Sequence, residues 1–337
     1  MSPSPKRPRK RVRPTWAREE LVRRRALLLG YCIAPSTDIT YTSALQRYTD
    51  FCDQHQFPIE PTPDSLSFFV AYLSVYVKPS TIASYLSGIC NKLEPYFPSV
   101  RTTRQSRIVA QTLNGARRLC GTADERKRPL TSEDLLSLAT SYSTKTAHDD
   151  KLFFAAIMAG FHGLLRVSEL TMPNKKCARD PRRYMLRHKV VLEEHSTTLH
   201  LPGHKADQYL AGHQVVLQQH QNHLDPCAPM RKYLDSRDAL FPFHPHLWLR
   251  ENGTVPTFGW IVKKMKVFFE GDIGGSSIRS GGATHLALLG VPNQTIQAVG
   301  RWSSEAFRGY LRKHPIVVQS AIWARPALSA TQLPPQA

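Results

Sequence analysis

Apolar positions recur at intervals of three and four residues through the first third of the chain, and this spacing predicts amphipathic helices. In one of these segments, for example, Ile82, Leu86 and Ile89 fall on the same helical face. The spacing extends over residues 36–52, 62–77, 78–93 and 104–121. Four short helices of this kind would bury their apolar faces against each other in a compact bundle.

The pattern changes after this bundle. Charge and proline interrupt the helical spacing over residues 123–129, which we interpret as a linker. Thr131 and Asp134 then have the spacing of a capping box, and a long apolar helix is predicted over residues 151–170. Alternating or clustered β-branched residues predict strands, which cover residues 188–194, 197–201 and 213–219.

The predicted fold class is therefore mainly α with a small antiparallel sheet (α+β). A length of 337 residues is enough for two domains that each bury a core. The helical signal returns after residue 225, so the second domain is mixed rather than all-β. The predicted organisation is a basic disordered tail (1–15), a helical domain (16–122), a linker (123–129), a mixed domain (130–325) and a disordered tail (326–337).

The net charge points to nucleic acid as a partner. The chain has 45 Lys and Arg residues against 26 Asp and Glu residues, which gives a formal net charge of +19. A positive field of this size attracts phosphates, and counterion release favours their binding. The last predicted helix of the bundle suits a DNA backbone through Arg104, Arg107, Arg117 and Arg118. The alternatives are a basic enzyme with another substrate and a charged helix face that only meets solvent.

Cysteine usage and hydropathy favour an intracellular protein without a structural metal. The six cysteines are scattered, without a CxxC pair or the spacing of a zinc site. We therefore expect reduced thiols and no metal ion. No run approaches the roughly 18 apolar residues that a membrane-spanning helix needs.

The amino-terminal tail is strongly basic. Its first 25 residues contain ten Lys or Arg residues against two Glu residues, and six of the ten lie in KRPRKRVRP. Such a block does not fold alone. It is typical of a nuclear-import signal or of an arm that grips phosphates, and the alternative is a solvated leader without a role. We expect the protein to be nuclear.

Two short segments contain candidate anion-binding residues. GLLRVSEL places Arg166 at the end of the apolar helix, with Glu169 three residues later. An arginine there needs an anion, which is either Glu169 in a structural ion pair or a ligand. Lys205 lies in the loop between two predicted strands, where it is either a functional residue or an ordinary surface lysine.

Two further segments near the end of the chain have unusual composition. In SIRSGGATHLALLG, Arg279 is surrounded by small residues, and Gly281 and Gly282 allow another backbone or a ligand to come close. In VGRWSSEAFRGYLR, Trp302 precedes a short predicted helix that contains Tyr310. A tyrosine in such an apolar stripe is more often a core residue than a nucleophile.

The order of these segments, behind a helical bundle, resembles the tyrosine recombinase (phage integrase) family. GLLRVSEL, KADQ, IRSGGATHLA and GRWSSEAFRGYLR look most similar to recombinases of eukaryotic mobile elements, such as the Cryptons and their fungal relatives. The resemblance spans about residues 36–325. It implies a SAM-like core-binding bundle followed by a tyrosine recombinase catalytic domain.

The resemblance also implies roles for individual residues. Glu169 would orient its neighbours. The implied catalytic residues are the first arginine Arg166, the hairpin lysine Lys205, the second arginine Arg279, Trp302 at the position of a His or Trp, and the nucleophile Tyr310. The chemistry is consistent with these roles, because guanidiniums match the oxygens of a phosphodiester that gains charge during attack.

The implied reaction is strand cleavage and rejoining through a 3′-phosphotyrosyl intermediate. Lys205 would act as general acid toward the leaving 5′ hydroxyl. The linkage stores the bond energy, so we expect no cofactor and no metal ion. On this view Arg279 stays uncovered by the protein because DNA covers it.

One position departs from the family pattern. The family usually has a histidine three residues before the second arginine, and Ser276 stands there in this chain. Helical spacing puts Ser276 on the Arg279 face, but a hydroxyl cannot replace an imidazole as a base near neutral pH. His285 lies on a different face of the same helix. Losing one acid or base costs roughly 100- to 10,000-fold in rate, so activity is slow or lost.

Three functions remain open at this stage. The first is an active recombinase that works on double-stranded DNA as a dimer or tetramer, without membrane or small-molecule partners. The second is a catalytically weak or inactive DNA-binding protein derived from such an enzyme, and the third is a related type IB topoisomerase.

The apolar segment 315–324 is expected to dock on a neighbouring protomer or on its own domain.

Overall fold

The structure is a computed structural model that describes residues 14–121, 126–202, 212–219 and 224–302. The chain divides into two compact units, Met1–Asp124 and Glu125–Ala337. The boundary between them falls within the predicted linker, residues 123–129. Each unit has its own hydrophobic core.

The described part of the first unit consists of helices. Their bounds are α1 (Arg18–Gly30), α2 (Pro35–Gln54), α3 (Pro63–Leu73), α4 (Pro79–Leu93), α5 (Val100–Gln105) and α6 (Arg107–Leu119). Proline at the first position of α2, α3 and α4 suits a helix start, because the backbone N–H that it lacks has no intrahelical partner there. α2 packs on α4, and α3 packs on α6. The core contains Tyr48 and the predicted inward residues Ile82, Leu86 and Ile89.

This bundle differs from the predicted four helices in two ways. α1 is an additional helix, and each of its residues is exposed, so it adds nothing to the core. The predicted fourth helix is two helices, because Ser106 adopts an extended conformation with φ −55° and ψ 148°. Arg104 therefore lies on α5, whereas Arg107, Arg117 and Arg118 lie on α6.

The described part of the second unit is mainly helical and contains a small sheet, which confirms the predicted fold class. Its helices are α7 (Ser132–Tyr142), α8 (His148–His162), α9 (Val167–Leu170), α10 (Cys227–Leu240), α11 (Phe258–Phe268), α12 (Ser277–Leu288) and α13 (Asn293–Val299). The strands are β1 (Val191–Leu192), β2 (Ser196–Leu201) and β3 (His213–Gln218). Three single turns of 3-10 helix precede the sheet, at Lys176–Ala178, Pro181–Arg183 and Arg187–Lys189.

The sheet is antiparallel throughout, in the order β1-β2-β3. Val191 lies opposite Thr198, and Leu199 lies opposite Val215. Buried residues alternate with less buried ones along β2, as expected for a sheet that packs one face on a core. The strands predicted over 197–201 and 213–219 are confirmed, whereas the strand predicted over 188–194 is reduced to Val191–Leu192, because the chain forms a 3-10 turn at Arg187–Lys189.

α8 lies at the centre of the second unit and contacts α7, α10 and α12. Most of its residues are buried, from Leu152 through Phe161, because neighbours surround it on several sides. It has 15 residues.

In the described ranges of the chain, no helix combines the length and the apolar character needed to cross a membrane.

The predicted single helix over residues 151–170 is wrong, because the chain turns sharply after α8. Leu164 has a left-handed backbone with φ 47°, and the Leu165 N–H donates to the Gly160 carbonyl at 2.8 Å. The turn buries the Leu164 and Leu165 side chains in two different apolar clusters. Periodicity alone does not reveal it, since a leucine pair also continues a helix. The turn makes Arg166 the residue that precedes α9.

Candidate active site

Arg166 and Glu169 form a reciprocal pair at the start of α9. The Arg166 backbone N–H donates to Glu169 Oε2 at 2.8 Å, and its guanidinium Nη1 donates to Oε1 at 2.9 Å. The Glu169 side chain is buried with 6% exposure, whereas that of Arg166 is 36% exposed. Glu169 therefore fixes both the backbone and the side chain of Arg166, and part of the guanidinium faces outward.

A third charged residue, Arg301, binds the same carboxylate. Its Nη2 donates to Glu169 Oε2 at 3.2 Å and to the Leu164 carbonyl at 3.1 Å, and its Nη1 donates to the Gly163 carbonyl at 3.4 Å. The Arg301 side chain is only 7% exposed. Burial lowers the pKa of this guanidinium from its ordinary value, and the Glu169 carboxylate acts in the opposite direction. Sequence reasoning missed Arg301, and the one available signal was its place beside Trp302 in GRW.

Arg279 lies in the first turns of α12 and is covered by Trp302. Its Cζ is 4.3 Å from the centroid of the indole ring, and its Nη2 donates to the Gly300 carbonyl. The exposure of Arg279 is 5%. The expectation that the protein leaves Arg279 uncovered is therefore wrong. The covering group is distant along the chain but close in space, so the small neighbours of Arg279 gave no sign of it.

Gly281 and Gly282 bring α12 against the backbone of its own chain. A Cβ on Gly281 would lie 2.3 Å from the Leu130 carbonyl oxygen, and one on Gly282 would lie 2.1 Å from the Phe161 carbonyl oxygen. The Leu130 N–H also donates to the Ser277 carbonyl at 3.0 Å. The sequence left open whether another backbone or a ligand approaches these glycines. Among the described residues, backbone of the same chain lies against both of them. This close packing fixes α12, and with it Arg279, relative to the end of α8.

Ser276 and His285 occupy different surroundings from Arg279. Ser276 is exposed at the start of α12, where its carbonyl accepts the Ser280 N–H at 3.0 Å and the Ser280 hydroxyl at 2.9 Å. Nδ1 of His285 lies 3.0 Å from the Ser132 hydroxyl, and its ring packs against Phe161. His285 therefore faces α7 and α8, consistent with the expectation that it lies on another face.

A continuous series of contacts joins these residues, from Arg166 through Glu169, Arg301 and the Gly300 carbonyl to Arg279 and then Trp302. The structure thus brings together four of the residues predicted from sequence, Arg166, Glu169, Arg279 and Trp302. Lys205 and Tyr310, like the segment 315–324, lie outside the described residues. Arg166 and Arg301 both bind the Glu169 carboxylate, and Arg279 contacts Gly300 and Trp302 instead. The cluster thus contains three guanidiniums and one carboxylate, an excess of positive charge that suits an anion such as a phosphate.

The arginines predicted to bind DNA lie on two helices of the first unit. Arg107, Arg117 and Arg118 are exposed on α6, whereas Arg104 on α5 is half-buried and donates to the Ala83 carbonyl at 3.3 Å. Arg104 and Arg117 both line a groove in the first unit. The groove is bordered by Leu86, Arg101, Arg104, Val109, Leu113 and Arg117.

In sequence, the chain matches no family model and no curated protein. In structure, it is similar to the XerH site-specific recombinase bound to palindromic difH substrate, with 17% identity, a TM-score of 0.55, and coverage of 84% of this chain and 78% of that one. It is also similar to a lambda integrase dimer bound to a COC′ core site, with 15% identity, a TM-score of 0.55, and coverage of 87% and 76%. The Tn1549 transposon integrase in complex with a circular intermediate DNA is similar as well, with 14% identity, a TM-score of 0.50, and coverage of 83% of this chain and 98% of that one. At these identities the likeness concerns the fold, which this chain shares with tyrosine recombinases and integrases.

Proposed function

We propose that this chain is a DNA-binding, site-specific tyrosine recombinase of mobile-element origin. The observation that carries the proposal is the contact series from Arg166 to Arg279, which joins two arginines 113 positions apart through Glu169 and the segment at Gly300–Trp302. The fold shared with site-specific recombinases and integrases supports it. The net charge of +19 supports DNA as the substrate.

In the proposed reaction the arginines act on one phosphodiester. Arg166 and Arg279 stabilise the charge that develops on the non-bridging oxygens. The positive site favours the phenolate form of Tyr310, whose proton has passed to solvent. The phenolate oxygen forms a bond to phosphorus as the bond to the 5′ oxygen breaks, and Lys205 gives a proton to that 5′ oxygen. The product is a 3′-phosphotyrosyl linkage and a free 5′ hydroxyl. Attack of a 5′ hydroxyl from another strand reverses the step and rejoins DNA, so no cofactor is consumed.

The proposed complex is a dimer or tetramer on duplex DNA. Arg104, Arg107, Arg117 and Arg118 of the first unit contact phosphates, and the segment 315–324 docks on a neighbouring protomer. The basic tail, residues 1–15, directs the protein to the nucleus. A fluorescent protein fused to this tail should accumulate in nuclei, and a fusion in which its Lys and Arg residues are replaced by Gln should not.

A covalent adduct tests the proposed chemistry. The protein is incubated with a library of nicked duplexes, in which loss of the short strand after cleavage traps the intermediate. We expect a denaturation-resistant protein–DNA adduct in the wild type and none in Tyr310→Phe. Tyr96→Phe is the matched control, because Tyr96 is 76% exposed in the first unit, and it should form adduct at the wild-type rate. Sequencing the attached DNA reports the preferred site.

Ser276 favours a second function, that of a DNA-binding protein which has lost cleavage. A hydroxyl at this position cannot act as the base that the family's histidine provides. This function predicts salt-sensitive duplex binding without adduct in the wild type. A type IB topoisomerase would instead relax supercoiled DNA without recombination products. Adduct formation that Tyr310→Phe abolishes, together with exchanged strands, distinguishes the recombinase from both.

A further inference from the structure

We propose that Arg301 is a positioning residue of this site. It holds Glu169 and the turn at Gly163 and Leu164, and through them it sets the orientation of the Arg166 guanidinium. This role rests on the proposed function, since Arg166 is the group that meets the phosphate. No sequence motif described above assigns a role to Arg301.

The contacts of Arg301 suit a support rather than a phosphate ligand. Its side chain is 7% exposed, against 36% for Arg166. Both of its terminal nitrogens donate to protein oxygens, Nη1 to Gly163 and Nη2 to Leu164 and Glu169. Arg166 is therefore the better-placed of the two for DNA, and Arg301 lies behind it.

The geometry requires a guanidinium. Arg301 donates to the carbonyls of two successive residues and to a carboxylate, in directions that a planar fork presents at fixed angles. A lysine ammonium is a single point charge on a flexible stem. It can approach Glu169, but it cannot reach all three oxygens in the same geometry.

Backbone conformation supports the same role independently. Leu164 and Arg301 both have positive φ values, 47° and 55°, which are uncommon for residues other than glycine. Such conformations persist only where the surrounding structure holds them, and they concentrate at functional sites. Here the side chain of one left-handed residue donates to the carbonyl of the other, at 3.1 Å. Arg301 thus stabilises the turn that delivers Arg166.

Arg301 also joins the two arginines of the site. Its neighbour Gly300 accepts a hydrogen bond from Arg279, and its other neighbour Trp302 covers Arg279. A displacement at Arg301 would therefore change Arg166 through Glu169 and Arg279 through the backbone. Because a misplacement of about 1 Å can cost roughly 100-fold in rate, the effect on cleavage should be large.

The test separates positioning from phosphate binding. Arg301→Met and Arg301→Lys are compared with the wild type in duplex affinity, in the salt dependence of that affinity, and in the single-turnover rate of adduct formation at saturating DNA. We expect both variants to bind duplex DNA with an affinity within about twofold of the wild type and with the same slope of log affinity against log salt. The single-turnover rate of adduct formation should fall by roughly 10- to 100-fold in both. Removing a phosphate contact would instead reduce the slope of log affinity against log salt by about 0.9.

Two further variants control for folding. Arg250→Met breaks the ion pair of Arg250 with Asp149, whose length of 2.9 Å is similar to the 3.2 Å between Arg301 and Glu169. Asp149 lies at the amino-terminal end of α8, away from the turn at Gly163, so this variant should leave the rate of adduct formation unchanged. Arg301→Met/Glu169→Gln removes both buried charges and so tolerates the loss of the pair. Because part of the effect of Arg301 passes through Glu169, the double variant should lose less rate than the product of the two single losses.

The outcomes are distinct. A wild-type rate in folded Arg301→Met, or a fully additive loss in the double variant, would overturn the positioning role while leaving the proposed function intact. A reduced salt slope would identify Arg301 as a phosphate ligand and also overturn it. Absence of adduct from the wild-type protein would remove the proposed function and the positioning role together.

Discussion

The guanidinium of Arg279 lies against the indole ring of Trp302, with 4.3 Å between Cζ and the ring centroid. The two residues are 23 positions apart in the sequence, with α13 between them. A cation over an aromatic face is stabilised by about 0.5–2 kcal/mol, and more when water is excluded. The contact explains how Arg279 is buried although its neighbours on α12 are small.

Gly300→Ala should disturb this contact without changing any catalytic group. A Cβ at Gly300 would lie 1.7 Å from Cζ3 of the Trp302 ring, so the indole must move away from its place over Arg279. The backbone at Gly300 has φ −75°, which alanine adopts readily, so the effect comes from the side-chain contact. We expect the single-turnover rate of adduct formation to fall by roughly 10- to 100-fold.

Gly115→Ala is the control for this change. Nothing lies within 4 Å of a Cβ at Gly115, which is inside α6. Alanine there should stabilise the protein by about 0.5–1 kcal/mol and leave the rate unchanged. A wild-type rate in Gly300→Ala would show that the Trp302 position is unimportant for cleavage.

Tyr184→Phe and Tyr233→Phe should affect stability differently, although both remove one hydroxyl. The Tyr233 hydroxyl donates to the Leu247 carbonyl at 2.9 Å and accepts the Leu249 N–H at 2.8 Å. Its removal leaves buried backbone groups unpaired and should cost about 1–3 kcal/mol. The Tyr184 hydroxyl is buried without a partner among the described residues, so its removal should be neutral or slightly stabilising.

Urea unfolding at neutral pH measures both changes. Tyr184 borders a cavity beside Glu169 and His246 that has room for about one water molecule. A loss of more than about 1 kcal/mol in Tyr184→Phe would contradict the prediction, and it would indicate a water that bridges the hydroxyl to a neighbour.

Asp134 should contribute to stability in a pH-dependent way. Burial alone would raise the pKa of this carboxyl, but the Arg128 guanidinium at 2.6 Å and the Thr131 N–H at 2.8 Å lower it below its ordinary value. Because the folded-state pKa is the lower one, the stabilisation is complete above the ordinary value and disappears as the pH falls through the folded-state pKa. Asp134→Asn should cost about 1 kcal/mol at pH 7, with a smaller cost in acid.

Urea unfolding at neutral and acidic pH tests this behaviour. Asp235→Asn, at an exposed position of α10 in the same unit, is the control and should change stability little at any pH. The same cost for Asp134→Asn at neutral and strongly acidic pH would show that its charge is irrelevant.

The arginines of the first unit should differ in their contribution to DNA binding. Arg107→Gln, Arg117→Gln and Arg118→Gln each remove an exposed guanidinium, so each should reduce the slope of log affinity against log salt by about 0.9. Arg104→Gln should have a smaller effect, since this side chain is half-buried and donates to Ala83.

Arg101→Gln provides the matched control in this series. It removes the same net charge, but Arg101 is already bound by Glu94 through two hydrogen bonds at 2.6 and 2.7 Å. The slope of log affinity against log salt should therefore change less in Arg101→Gln than in Arg107→Gln. Equal slopes in all five variants would indicate that only the net charge matters. Titrations of a random-sequence duplex between low and physiological salt supply the measurement.

Local patterns in the sequence determined the element types and much of the candidate site. The helical spacing of Ile82, Leu86 and Ile89 predicted their shared burial, and the capping box of Thr131 and Asp134 formed as its spacing indicated. Arg166 and Glu169 meet because the side chain of the third residue of a helix reaches back to the backbone N–H of the residue that precedes the helix. These features depend on backbone geometry over a few residues, which the order of amino acids specifies directly.

Tertiary structure alone decided the turn at Leu164, the burial of Arg279 and the place of Arg301. Leu164 leaves the helix because its side chain and that of Leu165 enter different apolar clusters. Arg279 is covered by Trp302 because the chain returns to it after α13, and Arg301 reaches Glu169 across 132 positions. Contacts of this kind depend on which distant segments the whole packed unit brings together, and a periodic pattern does not contain that information.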